Sequence, residues 1–179
     1  MHPQKRILVW IIAVGGVAVL VSYAYTFLGY PELSGGLWGD LPSSLLPFYQ
    51  VCMLLAATGY FFYTYFLLFR LDPHAVRIAG RFGYPLFHVL YLLILIPSAL
   101  WTPLTLVMLR APSPWLWTIV RLTLAAVALG SLGLLTALLT LHPGEPRWAY
   151  WAAVMGSVPF CVQTVVLDAL IWPAFFPLR

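Results

Sequence analysis

The chain has 179 residues, 63% of them apolar or aromatic and only 8% charged, with a formal net charge of +4. A soluble domain of this size carries about 25% charged residues to cover its surface, so the chain reads as an integral membrane protein. The basic excess lies in a few arginines beside hydrophobic runs, where it signals topology and not a nucleic-acid partner, and Cys52 and Cys161 give neither a disulfide framework nor a metal spacing.

Five windows reach the roughly 20 apolar residues that a bilayer crossing needs: 7–28, 45–69, 85–109, 115–141 and 148–172. They predict one all-α domain over 1–179, a five-transmembrane-helix bundle with short loops, because a spanning backbone must satisfy its own hydrogen bonds. Span 1 opens on Lys5 and Arg6. Its apolar run exceeds the ~7–15 residues of a signal-peptide core, so it is expected to stay as a span. Lys5 is the only lysine and precedes the span, which excludes a buried Schiff base. The connection 29–44 is rich in Gly and Pro, carries Glu32 and Asp40 and has no basic residue. Trp38 stands in it, either as an interfacial anchor or as part of a cap over a cavity.

Span 2 places Tyr49, Tyr60 and Tyr63 on one side. In span 3, His88, Tyr91, Ser98, Thr102 and Thr105, with Leu95 filling the gap, form one helical stripe. Span 5 repeats the pattern with Tyr150, Ser157, Cys161, Thr164 and Asp168. Lipid-facing positions need no such stripes, so both should face other helices or a cavity. Two readings stay open: hydrogen bonding between packed helices, or a pocket between spans 2, 3 and 5. Hydroxyls and aromatic faces there suit a flat, largely apolar ligand. Pro97 and Pro103 in span 3 and Pro159 in span 5 each remove a backbone donor and predict irregularity. Gly15, Gly16, Gly59, Gly130, Gly133 and Gly156 are expected at close helix contacts. His88 has no second intramembrane His at matching depth, which leaves a satisfied side chain in preference to a haem ligand.

Arg121 and Asp168 are the ionised groups within the spans, each costing ~2.5–3.5 kcal/mol at a helix centre. They lie roughly 9 Å and 6 Å from the same end of the bundle. An intramembrane ion pair between them is the expectation, with separate snorkelling to the headgroups as the alternative. Lys5, Arg6, Arg70, Arg77, Arg81 and Arg147 fall on one side, against Arg110, Arg121 and Arg179 on the other. That bias predicts the N-terminus inside and the C-terminus outside. The absence of Asn and near-absence of Lys point to a GC-rich or thermophilic bacterial source, and with the five spans to a bacterial inner membrane.

Short motifs in spans 2 to 5 resemble the translocator protein family, also called tryptophan-rich sensory proteins. Leu90-Tyr91 followed by Trp101-Thr102-Pro103-Leu104 is similar to that family's helix 3. Leu167-Asp168 with Trp172 resembles its L-N-x-x-x-W ending, with Asp for Asn, and Pro47-Phe48-Tyr49 followed by Ala56, Ala57 and Gly59 resembles its helix 2. The first loop departs from the family's K-P-x-W-x-P-P pattern, and Ile94 and Ser98 stand where the family has Gln and Asn. The resemblance implies a pocket for a tetrapyrrole or sterol beneath the first loop, and a homodimer. Position by position it implies Tyr49, Trp101, Pro103, Asp168 and Trp172 as contacts, with Trp38 more loosely.

The expected ligand site therefore comprises Trp38, Tyr49, Tyr60, Tyr91, Ser98, Trp101, Thr102, Pro103, Thr164, Asp168 and Trp172, holding a bound tetrapyrrole or lipid if anything and no metal. The competing function is a structural or assembly subunit of a larger membrane complex. A membrane isomerase acting on a sterol or lipid, with Asp168 as proton carrier, is a further alternative. One acid makes a thin active site, so no catalytic residue is assigned.

Overall fold

The computed structural model describes residues 1–176, Ser34 by its backbone alone. Arg179, counted above toward orientation, lies outside the described residues. The described chain is all-α, and five of its helices are long and apolar enough to cross a membrane. They are α1 (Pro3–Gly29), α2 (Leu46–Arg70), α3 (Pro85–Arg110), α4 (Pro114–Leu139) and α5 (Arg147–Ala174). Helices α1 to α4 each begin with a proline at the first or second position. There the missing N–H costs nothing and the fixed φ favours the helix.

Neighbours in sequence are not always neighbours in space. Helix α1 packs along α3, α3 along α4, α4 along α5, and α5 along α2. Helix α1 meets α2 mainly near its last turn, Phe66–Arg70, so the ring is loosely closed between these two. The main core lies within the ring, around Tyr63, Phe66, Tyr84, Phe87, Tyr91, Leu134 and Leu138. The outer surface is apolar: Val14, Val17, Leu20 and Val21 on α1, and Leu122 and Leu129 on α4, are all exposed. Exposed Trp10, Trp115, Trp148 and Trp151 lie toward the helix ends.

One end of the bundle carries a two-residue antiparallel ladder, Arg77–Ile78 against Leu141–His142, which ties the α2–α3 and α4–α5 connections together. At the opposite end the connection 30–45 folds into a helical turn Pro31–Ser34 and a 3-10 turn Gly35–Trp38. These are the ladder end and the loop end. Arg110 stacks over the Tyr30 ring at 3.9 Å, which joins the loop ends of α3 and α1.

Most of the expected glycine contacts are present. A Cβ on Gly59 would collide with the Gly156 backbone, so α2 and α5 touch main chain to main chain there. Gly15 abuts Leu95, Gly130 abuts Ile94, and Gly133 abuts Leu90. Gly16 is the exception: a Cβ there would meet nothing within 4 Å. It leaves space instead of closing it.

Helix α3 runs as one α-helix through Pro97 and Pro103, without the irregularity expected there. Irregularity does occur in α5, which is α-helical to Cys161, two residues past Pro159, and then becomes a π-helix over Val162–Ile171. Helix α2 also ends in a π turn, Phe66–Arg70, where Tyr84 Oη donates to the Leu67 carbonyl at 3.0 Å.

The Gly59–Gly156 approach predicts a large packing penalty for any side chain there. Gly59→Val should lower stability by about 1–3 kcal/mol, while Gly16→Ala should change it little. Thermal unfolding of both variants in detergent checks the contrast, and a Gly59→Val protein as stable as wild type would contradict it.

Candidate apolar cavity beneath the loop

A cavity of about 530 Å³ opens inside the bundle toward the loop end. All five helices contribute to its wall, not only α2, α3 and α5. Ile12, Gly16, Val19, Leu20, Tyr23 and Phe27 come from α1, and Tyr49, Met53, Ala56, Ala57, Tyr60 and Phe61 from α2. Helix α3 adds Ile94, Leu95, Ser98 and Trp101, and α4 adds Leu124 and Val127. Helix α5 adds Phe160, Gln163, Thr164, Asp168 and Trp172. Leu20 and Phe61, which line it from α1 and α2, are 71% and 69% exposed, so the wall is thin along the loose seam between those helices.

The loop closes one end. Leu37 and Trp38 line the cavity, and Trp38 meets Tyr49 edge-on with centroids 6.1 Å apart. Trp172 Nε1 donates to the Leu37 carbonyl at 2.8 Å, and Asp40 N donates to the Phe175 carbonyl at 2.7 Å. Gly39 has φ +58° and presses against the Phe175 carbonyl, a conformation and a space that suit glycine. Behind Trp172 lies an aromatic stack: Trp172 and Phe176 centroids are 4.7 Å apart, and Trp117 stacks on Phe176 at 5.3 Å. At the other end Tyr60 packs edge-on against buried Tyr63, which leans on Phe160.

The structure brings together Trp38, Tyr49, Tyr60, Ser98, Trp101, Thr164, Asp168 and Trp172 from the expected site. Three expected residues stand outside the cavity wall. Tyr91 is buried and spends its hydroxyl on Thr64 Oγ1 at 2.7 Å. Thr102 is buried in the α1–α3 contact, where it donates to Ser22 Oγ at 3.3 Å. Pro103 is half-buried one position further round the helix. Both polar-stripe readings hold in part, since the α3 stripe serves helix contact at Tyr91 and Thr102 and the cavity at Leu95 and Ser98.

The expected Arg121–Asp168 ion pair is not formed. Among the described residues nothing pairs with Arg121, whose side chain is exposed, while Asp168 lines the cavity. Arg121 reaches outward from α4, and the half-buried Asp168 instead accepts a hydrogen bond from Gln163 Nε2 at 2.8 Å. His88 likewise bonds locally, with Nε2 2.8 Å from the Gln4 carbonyl. Tyr49 Oη donates to the Leu167 carbonyl at 2.9 Å, and Thr164 Oγ1 to the Phe160 carbonyl at 2.9 Å.

Not every polar atom in the wall is satisfied. Gln163 Oε1 and Trp101 Nε1 are buried without a hydrogen-bond partner. Gln163 is 6% exposed, so water does not compensate from outside. Sequence reasoning missed Gln163 because it counted helical steps. On an α-helix, positions 163 and 168 stand roughly 140° apart. The π segment, bonded i→i+5, has a wider turn that narrows this angle and lets the two side chains meet. The α1 wall was also missed, although Ile12, Gly16, Val19 and Tyr23 recur at helical spacing. No family model, no curated protein and no solved structure matches the chain.

Two outcomes follow from this geometry. Trp172→Phe should cost about 1 kcal/mol by losing the bond to Leu37, and should speed hydrogen exchange at the Gly39 and Asp40 amides; unchanged exchange would show that the latch does not hold the loop. Arg121→Ala and Asp168→Ala should have additive effects on unfolding, since the residues do not touch, and a coupling energy above about 0.5 kcal/mol would contradict the absence of a pair.

Proposed function

We propose that the chain is a membrane-embedded binding protein that holds a flat, largely apolar ligand in the cavity beneath the 30–45 loop. The observation that carries this reading is an apolar cavity of about 530 Å³ whose wall includes the unpartnered Gln163 Oε1 and Trp101 Nε1. Ligand pockets of this size range are characteristically apolar with a few polar groups that fix orientation. Leaving such groups without a partner costs about 1–3 kcal/mol each, a cost that a bound molecule with matching polar atoms offsets.

The membrane placement is supported by five long apolar helices with apolar outer faces and tryptophans toward their ends. The arginine bias supports the N-terminus inside, which makes the loop end the outer one. The translocator-like motifs add sterols and tetrapyrroles as the ligand classes to try and a homodimer as the assembly; Tyr49, Trp101, Asp168 and Trp172, which carry the resemblance, all line the cavity.

The test is direct binding to protein in lipid nanodiscs, read by quenching of tryptophan fluorescence, with cholesterol and protoporphyrin IX as probes. At least one should bind saturably, and Ala57→Trp, which projects bulk into the cavity from an exposed position, should weaken it about tenfold or more. Failure of both probes, or binding indifferent to Ala57→Trp, would remove the reading.

A further inference from the structure

We infer that the loop end of the cavity is built for a cationic nitrogen, so that the ligand is a flat apolar molecule carrying a single protonated amine. The inference rests on the binding reading above and adds the chemistry of the ligand's polar end.

The balance of donors and acceptors leads to it. Asp168 and Gln163 face the cavity side by side, and the Gln163 amide N–H points at Asp168 Oδ1. That orientation leaves Gln163 Oε1, an acceptor, without a partner. The remaining capacity of the pair is therefore acceptor capacity: the carboxylate lone pairs and the amide oxygen. An ammonium offers several donors and no acceptor, which matches it. A carboxylate or phosphate on the ligand would be repelled by the Asp168 carboxylate, so of the two ligand classes above a sterol body fits this end better than the carboxylates of protoporphyrin IX.

Charge points the same way. Among the described residues no cation pairs with Asp168, and Arg121, the basic residue nearest in depth by sequence, is turned outward. An isolated carboxylate in an apolar wall is costly unless it takes up a proton or gains a counter-charge. A ligand ammonium supplies it, as a charge-assisted hydrogen bond.

The surroundings favour a cation over a neutral donor. Trp38, Tyr49, Trp101 and Trp172 line the cavity with Asp168. Aromatic rings attract a positive nitrogen that meets their faces, an effect that strengthens when the cation is desolvated. Aliphatic and aromatic side chains further down, from Val19 to Tyr60, receive the apolar body.

A matched probe pair tests this: 3β-aminocholestane and 3β-cholestanol, alike in their flat apolar body and different in the polar atom. Both are titrated in phosphatidylcholine nanodiscs at neutral pH against wild type and Asp168→Asn, with monodisperse elution as the check on folding. The amine should bind wild type about tenfold or more tighter than the alcohol. In Asp168→Asn this preference should fall to about onefold. Gln163→Met provides a second reading, and should reduce the preference severalfold.

Equal affinities for amine and alcohol in wild type would overturn the cation site while leaving the apolar pocket standing. An amine preference that survives Asp168→Asn would overturn the role of the carboxylate. Binding of neither probe would overturn the cation site and count against the pocket itself.

Discussion

Inside an apolar bundle every polar group must find its partner among the protein's own atoms, and that constraint organises this molecule. Where the main chain leaves its regular pattern, a side chain from another helix answers. Tyr84 takes the Leu67 carbonyl at the π turn of α2, and Tyr49 takes the Leu167 carbonyl in the π segment of α5. Ser131 and Thr164 hydroxyls approach to 2.6 Å between α4 and α5, and Cys161 Sγ donates to the Ser131 carbonyl at 3.1 Å. These bonds fix helix order and rotation because no solvent competes for them. Among the described residues Gln4 Oε1, Tyr63 Oη, Trp101 Nε1 and Gln163 Oε1 are buried without a partner, and of these Trp101 and Gln163 line the cavity.

The cavity is a consequence of how the ring closes. Helices α2 and α5 are drawn together until their glycine backbones touch at Gly59 and Gly156. Helix α1 is held on the other side, against α3, through Gly15 on Leu95 and Thr102 on Ser22. The two contacts pull the walls apart between α1 and α2, and Gly16 adds no bulk to fill the gap. The loop then completes the enclosure. Its fastening to Trp172 and Phe175 ties the cap to the same helix that carries Gln163 and Asp168.

Much of this was legible in the residues. Hydropathy located all five helices to within a few positions, since a continuous apolar run has few other uses. The stripes on α3 and α5 announced their inward faces, because a polar group on a lipid-facing surface is costly. The family resemblance grouped Tyr49, Trp101, Pro103, Asp168 and Trp172, with Trp38 more loosely, and all but Pro103 line the cavity. The errors came where helical periodicity was taken as constant or depth as contact. Arg121 and Asp168 share a depth, yet one faces outward and the other inward. Tyr91 and Thr102 share a stripe with Ser98, yet their hydroxyls are consumed by Thr64 and Ser22.

The sequence by itself determined the all-α class and the number of long apolar helices, because charge is costly in an apolar medium and is kept out of such runs. Only the tertiary structure decided which helices are neighbours, that α1 forms a wall, and that Gln163 stands beside Asp168. Those facts depend on backbone approach at single glycines and on a change from α to π winding over Val162–Ile171. Both are set by the packing of one helix on another, and no local pattern of residues encodes them.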